Sequence, residues 1–513
     1  LSPEVVADIA HLKPDLIVTV DNGIGSLDGV KAAKDLGCDV LVTDHHLPLD
    51  GGVLPCADVI VNPQQPGCTF PSKNIAGCGV IFYVIAGLRA RMEEQGAFKL
   101  LGINKPNLGV LLDVLGIGTV ADVVPLDENN RHIVASAIKM IRQGHARPII
   151  YHLLTLAGKD YRQFTSTDIG FVLGPRINAA GRLETMDLAI QGMLTTNEYE
   201  AWNIAQRLNE INTQRKEMSS NHEAEANEIM ETENIDSEHS GVCIYNADWH
   251  EGVVGILAGR VKEKLNRPTI CLTMTHETAM AVEAYRSVRQ GNYQEAEGLL
   301  IESKEKMKGI IIRGMFRDGK TESLDTTTIS DEQFESESES YRSVNDLITL
   351  VKNKVEPEVF KEKVDFHVNE FGEIKGSCRS VPGVHLKHVL DHINKQRPEV
   401  LNKFGGHAMA AGVTVRLKYF DTFRKMFDAE VKKDLTNEIK LGKLEVDVND
   451  LDEDQISLDN AFAIKESGPW GQHFEEPVFS GKFEVLSLRP LQNKHLKMQV
   501  RVPGGKQVFD AIC

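Results

Sequence analysis

The sequence predicts an α/β protein of several domains: a parallel-sheet domain, a helical connector, a second α/β domain and a β-rich tail. Three observations predict it. Apolar runs that end in polar clusters alternate with helix-like stretches over the first hundred residues. A charged helical stretch, Glu198 to about Asn234, separates them from a second strand, loop, helix, strand pattern, and alternating strands follow Glu445. At about 150 residues per domain, 513 residues make roughly three domains, each able to bury its own core.

The first element is DLIVTVDNG from Asp15, a β-branched apolar run closed by Asp21-Asn22-Gly23. The helix-like SLDGVKAAKDLG and a second apolar run, CDVLVTDHH, complete a βαβ unit, which requires parallel strands and a right-handed crossover. Both strands therefore end on one edge of the sheet. That carboxyl edge is where open parallel sheets bind ligands, and it carries Asp21 and Asp44-His45-His46. A third run, ADVIVNP, leads into a helix from Gly77 to about Gln95. LGVLLDVLGIGTVADVVPL then places Asp122 just beyond another apolar segment, and a helix runs from Asn129 to about Arg142.

The second α/β region opens at SGVCIYNADWHEGVVGILAGRVKEKLNRPTICL, resumes at GEIKGSCRS and closes with LNKFGGHAMAAGVTV. Between its halves, about Thr275 to Phe371 reads as an insertion. It holds one helical-hairpin-like repeat, whose face cannot be buried alone, and the polar, acidic run Ser330 to Ser340, which reads as disordered or solvated. Long insertions cost little when their ends are close in space, yet this one raises the prospect of a disturbed strand register.

Composition excludes several classes. With 42% hydrophobic and 26% charged residues the chain is neither wholly disordered nor fibrous. No apolar stretch approaches the roughly 20 residues of a membrane helix, and LSPEVVADIAH lacks the order of a secretory signal. A cytoplasmic protein is the expectation. Eight cysteines without a CxxC pair argue against a disulfide framework and a thiolate zinc site. A formal charge of −17 excludes a general basic coat but leaves room for a local basic channel. The start at Leu1 and the stop inside the strand-like VFDAIC read as a fragment of a longer chain.

Asp44-His45-His46 supplies a carboxylate and two imidazoles, an oxygen and nitrogen set that suits Mn²⁺ or Mg²⁺. A lone triplet of this kind is more often a polar loop. Asp21 on a neighbouring strand tip and Asp122 beyond a further apolar segment turn the balance toward a metal site.

In order and spacing, VTVDNGIGS, VTDHH and GTVADVVPL resemble the second, third and fourth motifs of the DHH phosphoesterase superfamily. GPRINAAGRLE, WHEGVVGI, GSCRS and GGHAMAAG resemble those of its bacterial single-strand-specific exonucleases. The resemblance implies a phosphodiesterase with two Mn²⁺ or Mg²⁺ ions that removes nucleotides from the 5′ end of single-stranded DNA in repair and recombination. It makes Asp21 a bridging metal ligand and His45 and Asp122 further ligands. Asp44 either binds metal or orients an imidazole, and His46 either touches the scissile phosphate or protonates the leaving oxygen. Residues 1–150 would be the DHH catalytic domain, truncated at its N-terminus. Residues 151–235 would be the connector, 236–274 and 372–440 the DHHA1 substrate domain, 275–371 the insertion, and 441–513 a truncated oligonucleotide-binding (OB) barrel.

On the substrate side, Ser377 and Arg379 offer a hydroxyl and a guanidinium to a phosphate. Gly405-Gly406-His407 combines close-approach backbone with an imidazole. Arg176, Asn178 and Arg182 line the DNA passage. Trp249 and His250 contact a base, with a core position for Trp249 as the equal alternative. Lys482, Arg489, Lys494, Lys497 and Arg501 give the tail a local basic character. Single-stranded DNA, a single-strand-binding protein and a helicase are the implied partners of a monomer. The superfamily's first motif, a DxD strand end, is expected upstream of Leu1. Its true loss would favour a non-catalytic single-strand-binding module. A third reading keeps the chemistry and takes short RNA or cyclic dinucleotides.

Overall fold

A computed structural model describes residues 1–49, 51–236, 238–317, 330–436, 446–491 and 495–513, without the side chains of 312–317. The chain divides into two compact units, 1–212 with 444–513, and 213–443. The division falls inside a single 35-residue helix, Glu198–Thr232, so the stretch expected as a separate connector is shared between the units.

In the first unit, β1 (Leu16–Val20), β2 (Asp39–Thr43) and β3 (Val59–Val61) form a parallel sheet in the order β1-β2-β3. The register runs from Leu16↔Asp39 to Val20↔Thr43. The intervening helix Leu27–Asp35 buries Val30 and Ala33 against Ile17, Val40 and Val42. Each CH₂ removed from water there contributes about 0.8 kcal/mol. Because side chains alternate along a strand, Ile17 and Thr19 face this core while Leu16, Val18 and Val20 stay exposed. Helices Gly77–Glu94 and Glu128–Arg142 follow as the sequence predicts, and the apolar segment before Asp122 is a helix as well, Leu112–Ala121. A second core joins Ile117, Val134 and Ile141 to Leu153, Leu173 and Leu208.

The tail belongs to this unit. Its strands β9 (Glu484–Leu491), β10 (His495–Arg501) and β11 (Phe509–Ile512) pair antiparallel in the order β11-β10-β9, and no closed barrel forms among the described residues. Ser166 Oγ donates to the Trp470 carbonyl at 2.7 Å, and Arg131 lies over the Phe474 ring. The expected basic character of the tail is partly neutralised: Lys497 pairs with Asp510 at 3.0 Å and Arg501 with Glu484 at 2.6 Å. Lys494 lies outside the described residues.

The second unit is built on a five-stranded sheet in the order β4-β5-β6-β8-β7. Its strands are β4 (Val242–Tyr245), β5 (Thr269–Met274), β6 (Glu373–Arg379), β7 (Leu401–Gly406) and β8 (Ala410–Arg416). Only β4 and β5 are parallel, joined by the helix Glu251–Leu265.

The stretch expected as an insertion leaves the sheet at Met274 and returns at Glu373, two positions side by side, for Thr275 N–H donates to the Glu373 carbonyl at 2.9 Å. Strand β6 then pairs without a slip to β5 and to β8, so the register is undisturbed. The expected hairpin is present as helices His276–Arg289 and Tyr293–Arg317. Val344, Leu347, Phe360 and Val364 of two later helices cover the face it cannot bury alone. Of the two readings of Ser330–Ser340, disordered or solvated, the second fits, for the run is helical and mostly solvent-facing. Ser330 and Gln333 form a reciprocal capping box on the helix Asp331–Glu337, and Phe334 and Tyr341 are fully buried. Two aromatics inside and beside the acidic run supply the apolar burial that its composition conceals.

His367 in this helical segment is 1% exposed, its Nδ1 lies 3.0 Å from Ser343 Oγ, and burial pushes its pKa down to about 4. The folded state therefore binds a proton less readily than the unfolded chain, whose histidine titrates near 6.5. Stability is unaffected above that value and falls as pH drops from about 6.5 to about 4, by on the order of 1–3 kcal/mol. Denaturant unfolding at pH 7.5 and 4.5 should show a larger loss for the native chain than for His367→Gln. An equal loss in both would refute the assignment.

Candidate metal centre and substrate face

The centre forms where β1 and β2 end. Asp21 follows β1 in the left-handed region, φ 64°, which a short polar side chain tolerates. Its N–H donates to the Thr43 carbonyl at 3.0 Å. Gly23, at φ 119°, must be glycine, since a Cβ there would lie 2.6 Å from Thr19 Oγ1 and 2.9 Å from Val42 Cγ1. The Asp-Asn-Gly turn thus presses on β2 and brings Asp21 beside the next strand end.

There Asp44 is 1% exposed and accepts four hydrogen bonds. Ile24 N–H reaches Oδ2 at 2.9 Å, while Oδ1 takes the N–H groups of His45 and His46 at 2.7 and 3.1 Å and His46 Nδ1 at 2.7 Å. Burial pushes this carboxyl up, but the donors outweigh it and hold it below the ordinary range. Its oxygens are committed to tying the two loops together and fixing the His46 ring. Of the two expected roles for Asp44, the orienting one matches this geometry. Asn62, at the end of β3, holds the His46 carbonyl at 2.9 Å.

His45 Nε2 points to the open side, 3.0 Å from Asp21 Oδ1 and 3.3 Å from Asp122 Oδ2. Neither contact has hydrogen-bond alignment, so this buried nitrogen is left between two carboxylates without an aligned partner. Asp21 first, then Asp122, raises the His45 pKa against the opposing effect of burial. Burial raises that of Asp122, with Asp21 adding to it and His45 opposing. Asp122 arrives from the C-terminal cap of the helix Leu112–Ala121, not from a strand. Ligand atoms of Asp21, His45 and His46 all lie within 4.8 Å of one another. Two carboxylates and imidazole nitrogens around an unsatisfied buried nitrogen fit a hard or borderline divalent cation.

Two neighbours escape the sequence reading. Gly77 opens its helix against Asp21, where a Cβ would lie 2.6 Å from Asp21 Cγ. Burial pushes the pKa of the Cys78 thiol beside it up to about 11. The run AGCGV was the available signal, a cluster of small residues at a helix start.

On the second sheet, Ser377, Gly412 and Gly405 stand in one cross-strand row. Arg379 NH1 donates to Ser377 Oγ at 2.8 Å, and the gap above Gly405 is open. Gly406, at φ 144°, is held against Ala410 and Ala411, where a side chain cannot fit, and exposed His407 donates its N–H to the Ala410 carbonyl at 2.8 Å. The expected phosphate-contacting residues are therefore neighbours.

For Trp249 the core alternative holds, and the expected contact by Arg176 is corrected. Trp249 is 3% exposed, packed among Val254 and Leu257 with its indole N–H on Glu225 at 2.8 Å, so it is core and offers no stacking face. Arg176 is 8% exposed, its Nε bonded to Asn209 Oδ1 and its NH1 to the Val172 carbonyl, so its fork is spent inside the fold. Asn178 and Arg182 on the same helix are exposed. His250 caps the helix Glu251–Leu265 through Nδ1, which accepts from Gly252 N–H at 3.1 Å.

A parallel sheet whose carboxyl edge gathers a DHH triplet and two further carboxylates defines a DHH-type phosphoesterase domain. The DHH family N-terminal domain accordingly matches residues 1–112, the DHHA1 domain 349–433 and the RecJ OB domain 448–513. The single-stranded-DNA-specific exonuclease RecJ of Dickeya dadantii is 35% identical over 515 residues, spanning 100% of this chain and 73% of that protein. The chain belongs to the RecJ family. Crystal structures of RecJ from Thermus thermophilus with Mn²⁺ and with Mg²⁺ share its fold, at TM-scores of 0.65 and 0.56. They are 20% and 18% identical to it, over 100% and 99% of this chain and 58% and 63% of theirs. Among the described residues no helix is long and apolar enough to cross a membrane.

Proposed function

We propose that this chain hydrolyses phosphodiester bonds of single-stranded DNA from the 5′ end, with divalent cations held by Asp21, His45 and Asp122. The observation that carries this reading is the buried His45 Nε2, set 3.0 and 3.3 Å from two carboxylates without an aligned hydrogen bond. A cation at that point would take up the Nε2 lone pair and lie between the two negative charges. When bound, Mn²⁺ or Mg²⁺ supplies positive charge against a phosphodiester oxygen and a lower pKa for the attacking water. Two ions are what the resemblance to the DHH superfamily implies, with the first motif expected upstream of Leu1 supplying further ligands.

The chain's own residues account for the remainder. Asp44 fixes the His46 ring through Nδ1, which leaves Nε2 as the edge turned to the phosphate or the leaving oxygen. Ser377, Arg379, Gly405, Gly406 and His407 form the face that takes a phosphate of the strand, the guanidinium in pairs and the glycine backbone by close approach.

Incubation of the purified chain with a 5′-labelled, 5′-phosphorylated oligodeoxynucleotide and Mn²⁺ should release labelled mononucleotide first, and EDTA should stop it. Competition with duplex DNA, short RNA and a cyclic dinucleotide should leave the rate within about twofold. Release without metal would overturn the proposal, as would preference for the RNA or cyclic dinucleotide, or strand binding without any cleavage.

A further inference from the structure

We propose that Phe171 is a stacking platform for one base of the single strand, an inference that rests on the proposed action on single-stranded DNA. Its ring is 78% exposed, on a helical stretch whose neighbours Ile169, Val172 and Leu173 are buried. Single exposed apolar residues are ordinary on protein surfaces. Three further features set this one apart.

First, Phe171 lies at the middle of a π-helical turn, Ile169–Leu173, directly before the helix Gly174–Leu183. Such turns are rare overall and frequent at functional sites. Second, the exposed positions from here on form one stripe, Gly170, Phe171, Asn178, Gly181 and Arg182. The stripe sets a hydrogen-bonding amide and a guanidinium along the helix from the aromatic ring, the combination that contacts successive bases and phosphates of a strand. Third, the exposed Gly170 that precedes Phe171 has nothing within 4 Å of the place a Cβ would occupy, so the surface next to Phe171 is uncrowded. Buried Arg176 fastens this same helix from behind through the Val172 carbonyl and Asn209, which keeps the stripe turned outward. A base is the occupant that the chemistry selects: a phosphate gains nothing from a benzene ring, and every base has a π-face.

The test is equilibrium binding of a 5′-phosphorylated oligo-dT to the full chain by fluorescence anisotropy, with Ca²⁺ in place of Mn²⁺. Phe171→Ala should weaken binding about tenfold, within the span of one base stack, and Phe171→Trp should restore it. Moving a single abasic site along the oligonucleotide should reveal a position where the native chain loses about tenfold and Phe171→Ala loses nothing more. Equal affinities of the native chain and Phe171→Ala would overturn the proposal, as would additive losses at every abasic position. If the native chain itself fails to bind the oligonucleotide, the reading as a single-strand nuclease falls first. Because the ring is exposed, Phe171→Ala should keep the native unfolding midpoint, and a lowered midpoint would count against a pure binding role.

Discussion

Replacing His45 by alanine should lower the rate of nucleotide release on the order of 10³-fold and abolish the thermal stabilisation that Mn²⁺ gives the native chain. The imidazole is the one group that stands between Asp21 and Asp122, at 3.0 and 3.3 Å. Without it a divalent cation would keep two carboxylates and lose a nitrogen donor, and the charge it would supply to the attacking water and the phosphate would be less well held. A thousandfold loss corresponds to about 4 kcal/mol of transition-state stabilisation, well within what a metal-centred site supplies. Fold loss would not explain the result. The ring is removed from the carboxyl edge of the sheet, outside the core of Ile17, Val30, Val40 and Val42, and Asp44 keeps its bonds to Ile24 and His46. The metal-free unfolding midpoint should therefore stay within a few degrees of native. If His45→Ala retains a native rate, or a native shift of the midpoint with Mn²⁺, the assignment of Asp21, His45 and Asp122 as one centre is wrong.

Much of this centre was legible in the sequence for a simple reason. Asp21 and His45 each end an apolar run on parallel strands, and parallel strands joined by a helix must end on the same edge, so their meeting follows from topology. Asp122 was legible as a candidate, but its apolar run is a helix whose cap delivers the carboxylate from another direction. The role of Asp44 was open because its deciding partner, Ile24 N–H, is twenty residues away and appears only when the Asp-Asn-Gly turn closes.

Exposure was the quantity the sequence withheld elsewhere. Trp249 and Arg176 carry the right chemistry for DNA, yet Glu225 and Asn209, distant in order, draw them inside. Phe171, an apolar residue the sequence reading passed over, is 78% exposed. The acidic run from Ser330 was ambiguous for the opposite cause. Its average polarity is high, but capping and two buried rings decide its structure position by position.

Gly77 shows how the same limit hides a second large effect. Substituting alanine there should reduce nucleotide release about 100-fold and raise the Mn²⁺ concentration needed for half-maximal rate. A Cβ at this position would stand 2.6 Å from both Cβ and Cγ of Asp21, a distance real Cβ atoms do not show, so something must shift. The helix Gly77–Glu94 is long and its first turn is anchored, with Val80 N–H on the Ala76 carbonyl at 3.0 Å. Asp21 is the freer partner, half exposed at a strand tip, and it will move. A displacement of about 1 Å is enough to cost on the order of 10² in rate when it spoils the approach of reacting groups. Gly79 provides the control two residues along. Its added Cβ would meet Cγ1 and Cδ1 of Ile75 and no residue of the centre. Gly79→Ala should therefore cost about 1–3 kcal/mol of stability through overpacking while its Mn²⁺ requirement stays native. Equal metal requirements for Gly77→Ala and the native chain would mean that Asp21 keeps its place by some other contact, and the close approach of this helix would have no part in holding the centre together.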